Sequence, residues 1–507
     1  MSDQTVHAAL RSPAQLVVIE APAGCGKTHH GAEYARDVAS TTHPGRPLIL
    51  THTHAACSVF AERTKGTRTR VDIRTIDSVI GQIAGAYHSG LGLPSDTAAW
   101  LRQHAERGHQ ELAFKVARLL KVRPMIAASL ARRHPVVICD EHQDSSGDQH
   151  ALIMALLQQG ARVRVLADPM QKIFRQKPLD GSSPPCDWDA LTGRAQAFDR
   201  LDHPHRWDKG CASLGQWTLQ ARQLLKTNGR IDLRGGLPPS VRVHYAENRA
   251  QRNLHYELAR QDRKAIDEFE GQQASLLVLT RYNDTALSLR AFFNRRIPLW
   301  EGYTRPGLNR LVDAVNAAQG DRASLAAAVV AFMADVGKGF SPSAFGNALE
   351  QEVRDGCVRS RSGKPAMIQQ LARYLVEDPS HHGIARMLQH LSELKACSHA
   401  FEEVEVDCYS EFRDAIRLGA FETPDAGLEE IIHRRTYSRP KPPPRAISII
   451  YTAKGLECDS VIVMPCDKKT LPDTPDARCL LYVALSRAKD HVLLVVSRDN
   501  PSPLFVI

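Results

Sequence analysis

A short apolar run, Leu16 to Ile19, leads directly into Ala21-Pro-Ala-Gly-Cys-Gly-Lys-Thr28 and then into a helix-like segment, Gly31 to Val38. That succession commits the chain to a strand–loop–helix unit, because small residues after a strand let backbone amides turn inward at a helix N-terminus and cradle an anion. Ala21, Pro22, Ala23, Gly24, Cys25, Gly26, Lys27 and Thr28 therefore read as a phosphate-binding loop. Lys27 is expected to reach the terminal phosphates and the Thr28 hydroxyl a magnesium ion. Ala21 stands where the usual pattern has glycine, and Cys25 reads as a small filler.

A second apolar run, Val136 to Cys139, opens into Asp140-Glu-His-Gln-Asp144. A run of this kind reads as a buried parallel strand, so Asp140 and Glu141 emerge at the carboxyl end, where open α/β sheets bind ligands. Two adjacent carboxylates there suit a hydrated magnesium ion, expected on Asp140, and an attacking water, expected on Glu141. Gln143 and Asp144 add an amide and a further acid on the following turn.

The strand rhythm extends through Pro47 to Thr51, Val71 to Arg74 and Val163 to Ala167, which means βαβ units around a parallel sheet. A helical stretch, Ala98 to Leu120, interrupts it. Strand signals return at Leu276 to Leu279, Ile447 to Tyr451, Ser460 to Met464 and His491 to Ser497, giving a second α/β unit split by about 130 largely helical residues. The proline-rich segment Arg439 to Arg445 reads as a stiff linker. At 507 residues the chain has room for two or more cores, and 65 Lys plus Arg against 56 Asp plus Glu give a net charge of +9, which suits a polyanionic partner. Eleven cysteines lie scattered without CxxC spacing, which reads as reduced structural thiols rather than a disulfide frame, zinc site or iron–sulfur cluster. Neither a secretory leader nor a membrane-length apolar run stands out, so a cytoplasmic protein is expected.

Together these segments resemble the UvrD/Rep/PcrA group of superfamily-one DNA helicases, almost end to end. Thr51-His-Thr-His-Ala-Ala, with Arg63 beyond, is similar to a motif that contacts single-stranded DNA, His52 and His54 standing for its phenylalanine and asparagine. Arg74-Thr-Ile-Asp-Ser78 resembles the next motif, with Asp77 in place of histidine and expected to orient Thr75 or a basic neighbour. Ala167 to Phe174 resembles GDxxQxIY, whose glutamine, here Gln171, senses the γ-phosphate. The tryptophan-containing sequence that normally follows is replaced by Arg175-Gln-Lys-Pro, leaving Phe174 or Trp188 as substitute stacking platforms. Leu201 to Trp207 is similar to the LxxNYR motif, which assigns Arg206 to the γ-phosphate and His205 to adenine stacking. Tyr451 to Glu457 resembles HSAKGLE, with Thr452 beside DNA, Gly455 for close backbone approach and Glu457 on the ribose; Tyr482 to Lys489 resembles YVALTRAK, with Arg487 the second cleft arginine. His29 stands where the family has arginine, and the adenine-reading glutamine is Gln4, Gln15 or neither.

The resemblance implies an α/β P-loop NTPase fold of two RecA-like parallel-sheet domains, each with a helical insertion. Domain 1A would span 1–87 and 131–200 around insertion 1B at 88–130; domain 2A would span 201–306 and 439–507 around a reduced insertion 2B at 307–438. ATP and Mg²⁺ are the implied cofactors and DNA, single-stranded or with a single-stranded end, the implied partner. The implied catalytic set is Lys27, Glu141, Gln171, Arg206 and Arg487, with Gln143 linking hydrolysis to the arginines. The implied DNA contacts are Thr51, His52, His54, Arg63, Thr75, Phe174 and Thr452. The expected activity is a DNA-stimulated ATPase translocating 3′ to 5′. With about 20 residues after Arg487, no fused nuclease is expected, and the compact form resembles the GajB subunit of Gabija anti-phage systems, which works with an OLD-family (TOPRIM) nuclease. The alternative is thus a DNA-sensing ATPase subunit regulating such a nuclease. An ATP switch unrelated to nucleic acid would leave all but two of the motifs as coincidence.

Overall fold

The computed structural model of the chain describes residues 2–40, 45–66, 71–104, 107–174, 177–247, 256–300, 306–340, 345–397, 399–406, 408–437 and 443–507. Arg175 and most of the proline-rich segment lie outside the described residues. The chain forms two compact units, Met1–Ile297 with Pro444–Ile507, and Pro298–Pro443.

In the first unit a six-stranded, all-parallel sheet is built from β1 (Leu16–Glu20), β2 (Leu48–Thr51), β3 (Asp72–Thr75), β4 (Val136–Asp140), β5 (Arg162–Ala167) and β6 (Ala197–Arg200), in the order β3-β2-β4-β5-β1-β6. All residues of β1, β2 and β4 are buried. Val136, Val137 and Ile138 are β-branched and suit a pleated surface covered on both faces. Burial of each such side chain contributes roughly 1.5–3 kcal/mol. The connecting helices are α1 (Ser2–Arg11), α2 (Lys27–Ala39), α3 (His54–Arg63), α4 (Ile76–Ala86), α5 (Thr97–Gln103), α6 (Gly108–Val122), α7 (Pro124–Arg133), α8 (Gly147–Gln158) and α9 (Trp188–Arg194). Leu112, Val116, Leu120 and Ile126, from the stretch expected as an inserted subdomain, share one core with Ile80 and Ile83 of α4 and Leu152 and Ile153 of α8. Trp188 packs against that same core.

A second all-parallel sheet contains β7 (Val241–Ala246), β8 (Leu276–Thr280), β9 (Arg445–Ile449), β10 (Cys458–Cys466) and β11 (Ala488–Ser497), ordered β9-β8-β10-β11-β7. Its helices include α10 (Ala212–Lys226), α11 (Arg260–Gly271), α12 (Asn283–Phe292) and α13 (Pro475–Leu485). Strands β6 and β7 carry no uninterrupted apolar run. Each is an edge strand and is only partly buried.

The second unit is helical. Its helices run Pro306–Ala318, Arg322–Val336, Asn347–Arg354, Gly363–Glu377, His381–Cys397, Tyr409–Leu418 and Pro424–Tyr437, with a two-stranded pairing of Gly337–Lys338 and Glu405–Val406. Leu325, Val329, Phe332, Leu371, Leu388 and Phe412 lie in its own core. Buried Glu411 accepts the Leu308 amide at 2.7 Å, satisfying one of the orphan donors in the first turn of its helix. No helix among the described residues is long and apolar enough to cross a membrane.

Candidate active site

The loop between β1 and α2 turns through Gly24 and Gly26, at φ 77° and 84°. A Cβ on Gly24 would also stand 2.6 Å from Trp207 Cζ3 and 2.9 Å from Arg206 Cβ, so the position is closed to any side chain. The reason is that the turn His205–Trp207 lies directly on the loop: the Arg206 amide donates to Gly24 O at 3.0 Å, and Trp207 Nε1 donates onward to Ala488 O at 2.9 Å. From α13, the buried Tyr482 hydroxyl accepts the Ala23 amide at 2.8 Å. Elements of both sheets therefore line this loop. Cys25 is fully buried and burial pushes its thiol up to about 12, as befits a filler.

Lys27, at the start of α2, is buried and ion-paired with Glu141. Burial alone would lower its pKa, but Glu141 and Asp140 outweigh that and raise it. Asp140 ends β4; burial raises its carboxyl, and its Oδ1 is buried with no hydrogen-bond partner. Glu141 resists burial because Lys27 and then Lys454 hold it ionised, below its usual range. Its backbone takes φ 55°, a left-handed conformation rare outside glycine and costing roughly 1–3 kcal/mol, of a kind that clusters at functional sites. Thr28 is half-buried at the same helix start. Thr28 and Asp140 thus offer a hydroxyl and an unpartnered carboxylate oxygen, an oxygen donor set that fits a hard divalent cation.

Gln143 donates to Glu141 and accepts the Asp168 amide at 3.1 Å. In this structure its link runs to Asp168 and, beyond it, to Arg222 of α10. Arg222 bridges Asp168 Oδ1 and Glu20 Oε1, both at 2.6 Å, and Lys226 joins Glu20 at 2.5 Å. Burial raises and Arg222 and Lys226 lower the Glu20 pKa, with a net fall. Gln171 is buried and donates to Asp168 Oδ2 at 3.0 Å, while its carbonyl accepts Lys454 at 2.7 Å. Lys454 also pairs with Asp144 at 2.5 Å and lies 5.3 Å over the Phe174 ring.

Arg206 pairs with Glu457 at 2.6 Å, and Lys489 stands 3.6 Å from the same carboxylate. Glu457, expected on a ribose, thus holds a cleft arginine in this structure. Arg487 is fully buried, donating to Val483 O, Leu456 O and Ser486 Oγ. Burial and the neighbouring Arg206 bring its pKa down to about 10. Gly455 takes φ 85°, a conformation that favours glycine, and among the described residues nothing lies within 4 Å of where its Cβ would stand.

On the opposite side of the loop, His205 meets Asp3 at 2.9 Å and Asp208 at 3.2 Å, and Asp3 meets His30 at 3.3 Å. His29 and Gln4 are exposed. The residue of α1 that engages this corner is Asp3; Gln15 lies between that helix and β1, its amide on Gln196 Oε1.

The residues expected on a DNA path divide. Phe174 is 49% exposed, with its ring 6.4 Å from Tyr451; Arg63 is exposed, and Thr452 and His54 are half-buried. Thr51 is buried, bonding Thr53 O at 3.1 Å. Thr75 is buried and caps α4 through the Ser78 amide at 3.1 Å. Asp77 accepts Gln149 Nε2 at 2.7 Å, and its charge reaches the neighbouring His52. His52 turns inward onto Ser145 Oγ at 3.2 Å, and burial lowers its pKa. Sequence spacing missed Asp3, Arg222 and Tyr482; the last lies inside a motif that could have flagged it.

Residues 3–173 match an AAA domain family and residues 446–495 match the UvrD-like helicase C-terminal domain family. No curated protein matches the chain. The first match spans the phosphate loop, the acidic turn and Gln171; the second spans Lys454, Glu457, Tyr482 and Arg487. With two parallel sheets and the loop at the end of β1, the fold is that of a P-loop NTPase, and the two matched segments point to a helicase-type, nucleotide-binding ATPase.

Proposed function

We propose that the chain is an ATP-dependent DNA helicase and translocase, acting in the cytoplasm, whose ATPase is stimulated by single-stranded DNA and which moves 3′ to 5′. The observation that carries the reading is the meeting of two walls at one loop. Lys27, Asp140 and Glu141 form one, and Arg206, Tyr482 and Arg487 the other, with Arg206 bonded through its backbone to Gly24.

Phosphoryl transfer needs positioning and charge neutralisation more than covalent chemistry. In this reading the phosphates of ATP lie on the loop amides Ala21 to Thr28, and Lys27 exchanges its Glu141 partner for phosphate oxygen. Releasing Lys27 removes the charge that holds Glu141 most strongly ionised, so Glu141 becomes a better base for water. Thr28 and Asp140 would hold Mg²⁺, which supplies charge neutralisation on the phosphates when bound. Arg206 and Arg487 stabilise charge developing at the transferred group, and Glu457 keeps Arg206 in reach until it does. Gln143 and Gln171 both bond to Asp168, so a shift at the acidic turn passes to Lys454 and to the Phe174–Tyr451 surface, where unpaired bases would stack.

The test compares ATP hydrolysis with and without single-stranded DNA, followed by strand displacement from substrates with 3′ or 5′ tails. Stimulation and a 3′-tail preference are expected; an ATPase rate indifferent to DNA would sink the proposal. The resemblance to GajB adds a finer form, a compact subunit regulating an OLD-family nuclease. That form requires stable co-purification with the product of the adjacent gene and mutual effects on activity.

A further inference from the structure

Behind the acidic turn lies a group of side chains that the proposed ATPase does not use. His142, between Glu141 and Gln143, is 1% exposed, and its Nε2 stands 2.9 Å from Nδ1 of His150 on α8. The Sγ of Cys186, just before α9, and one ring nitrogen of each histidine lie within 4.8 Å of one another. We propose that His142 Nε2, His150 Nδ1 and Cys186 Sγ form a binding site for a borderline-soft divalent cation of the zinc class.

The donor set is right for that ion and wrong for magnesium. Imidazole nitrogen and thiolate sulfur select zinc, cobalt or copper, whereas magnesium takes oxygen. With Zn–N near 2.0–2.1 Å and Zn–S near 2.3 Å, a tetrahedral ion holds two nitrogens about 3.3 Å apart and a nitrogen and sulfur about 3.6 Å apart. The imidazoles need only part by a few tenths of an ångström, and the thiol needs only a modest approach.

Two further features make this a built site. First, Ser145 Oγ, 5% exposed, lies 3.2 Å from His142 Nδ1 and 3.2 Å from His52 Nε2. It occupies one ring nitrogen of His142 and leaves Nε2 for the ion, the arrangement by which outer groups orient ligating histidines. Second, the loop carrying Cys186 is clamped to α8. The Ser183 amide donates to Asp148 Oδ1 at 2.9 Å, and a Cβ on Gly147 would fall 1.9 Å from Ser183 O, so only glycine admits that approach. Cys186 is therefore held beside His150 by its own neighbours. His150 and Cys186 are half-buried, which gives an ion a way in and leaves a fourth position for water. Lys172 and Arg194 stand near His150, so the thiolate must balance the charge of the ion.

This proposal is independent of what the ATPase acts on. A bound ion would staple the acidic turn, α8 and the segment before α9, and so would fix the backbone that carries Glu141 and Gln143. The ligands come from three separate elements without CxxC spacing, which is why scattered cysteines read as structural thiols in sequence.

Untagged full-length protein, freed of metal by chelation, is titrated with Co²⁺ and then with competing Zn²⁺. One equivalent of Co²⁺ should give the near-ultraviolet thiolate-to-cobalt charge-transfer band together with the visible bands of a tetrahedral ion, and Zn²⁺ should abolish both. The clusters Asp3–His30–His205 and His203–His205–Asp208 contain no thiol and cannot produce that charge-transfer band. Cys186→Ser and His150→Ala should each weaken Zn²⁺ binding tenfold or more, and Cys186→Ser should erase the charge-transfer band; circular dichroism checks that each variant is folded. Cys397→Ser, at an exposed thiol, should leave the band unchanged. Absence of the band in wild-type protein would make the pair a plain imidazole–imidazole hydrogen bond and overturn the proposal. Persistence of the band in folded Cys186→Ser would overturn it equally.

Discussion

Two clusters of buried charge stand at the carboxyl ends of neighbouring strands of the first sheet, and they are built on opposite terms. Around Glu20 and Asp168 two carboxylates meet three cations, Arg222, Lys226 and Arg200, at 2.5–3.3 Å. Around β4, three carboxylates, Asp140, Glu141 and Asp144, share two lysines, Lys27 and Lys454, and Asp140 Oδ1 has no partner. Burying charge costs several kcal/mol per ion unless it is paired, so a stable protein completes such clusters where it can. The first has more cations than carboxylates and acts as scaffold. The second lacks a positive charge, and the missing charge is the one that a divalent cation with a polyphosphate would bring.

The largest effects should come from the unbalanced cluster and the arginine opposite it. Lys27→Ala is expected to weaken nucleotide binding and to lower turnover by about 10³-fold. Arg487→Ala should lower kcat by about 10³-fold while nucleotide binding stays within a few fold, because its partners in this structure are backbone carbonyls and Ser486. Steady-state ATPase assays with titration of a fluorescent nucleotide separate the two. Equal losses of binding would make Arg487 a structural residue.

The cation-rich cluster should fail in stability instead. Arg222→Met leaves Asp168 without its cationic partner and is expected to destabilise the first unit by about 3–5 kcal/mol, read from urea unfolding. The pH dependence follows from Glu20, whose carboxyl is held below its usual 4.5 in the folded state. Its contribution is present above that unfolded value and lost as pH falls through the lower folded value. In Arg222→Met the folded value rises, so the acid limb of stability should move to higher pH. An unchanged limb would remove Glu20 from the account.

The contrast between the clusters was only half legible in the sequence. Strands β1, β2 and β4 declare themselves because burial on both faces demands apolar runs, and the loop and acidic turn are contiguous in the chain. Edge strands β6 and β7 needed a different signal; the alternation in Val241-Arg-Val-His-Tyr-Ala246 carries it, although no apolar run does. Long-range pairings leave no local trace. Arg222 is 202 residues from Glu20, Lys454 is 310 from Asp144, and Tyr482 is 459 from Ala23. Gly24 illustrates the same limit: small residues free the loop amides, but the ring of Trp207 above Gly24 supplies a second reason that only the fold reveals.

A sharper test of the comparison uses one chemical change in both places. Asp140→Asn removes a carboxylate from the crowded cluster, where burial already raises its pKa. In the absence of divalent cation it should stabilise the protein by on the order of 1 kcal/mol, while lowering kcat about 100-fold. Asp168→Asn removes the acceptor of Arg222 and Gln171 and should destabilise. Melting temperatures with and without Mg²⁺ read both. Shifts of the same sign at the two sites would end the distinction between scaffold and site.

The smallest expected effect concerns the hydroxyl that joins the walls. Tyr482→Phe keeps the buried ring, which lies 5.7 Å from the Arg222 guanidinium, but removes the acceptor of the Ala23 amide. The stability loss should be about 1 kcal/mol, the net worth of one hydrogen bond. Its value lies in direction. If phosphate recruits the Ala23 amide, freeing that donor in advance should tighten nucleotide binding slightly even as the empty protein weakens; if the hydroxyl instead shapes the loop for phosphate, binding should weaken with stability. Nucleotide affinity measured beside the urea midpoint decides whether Tyr482 competes with the substrate or prepares its site.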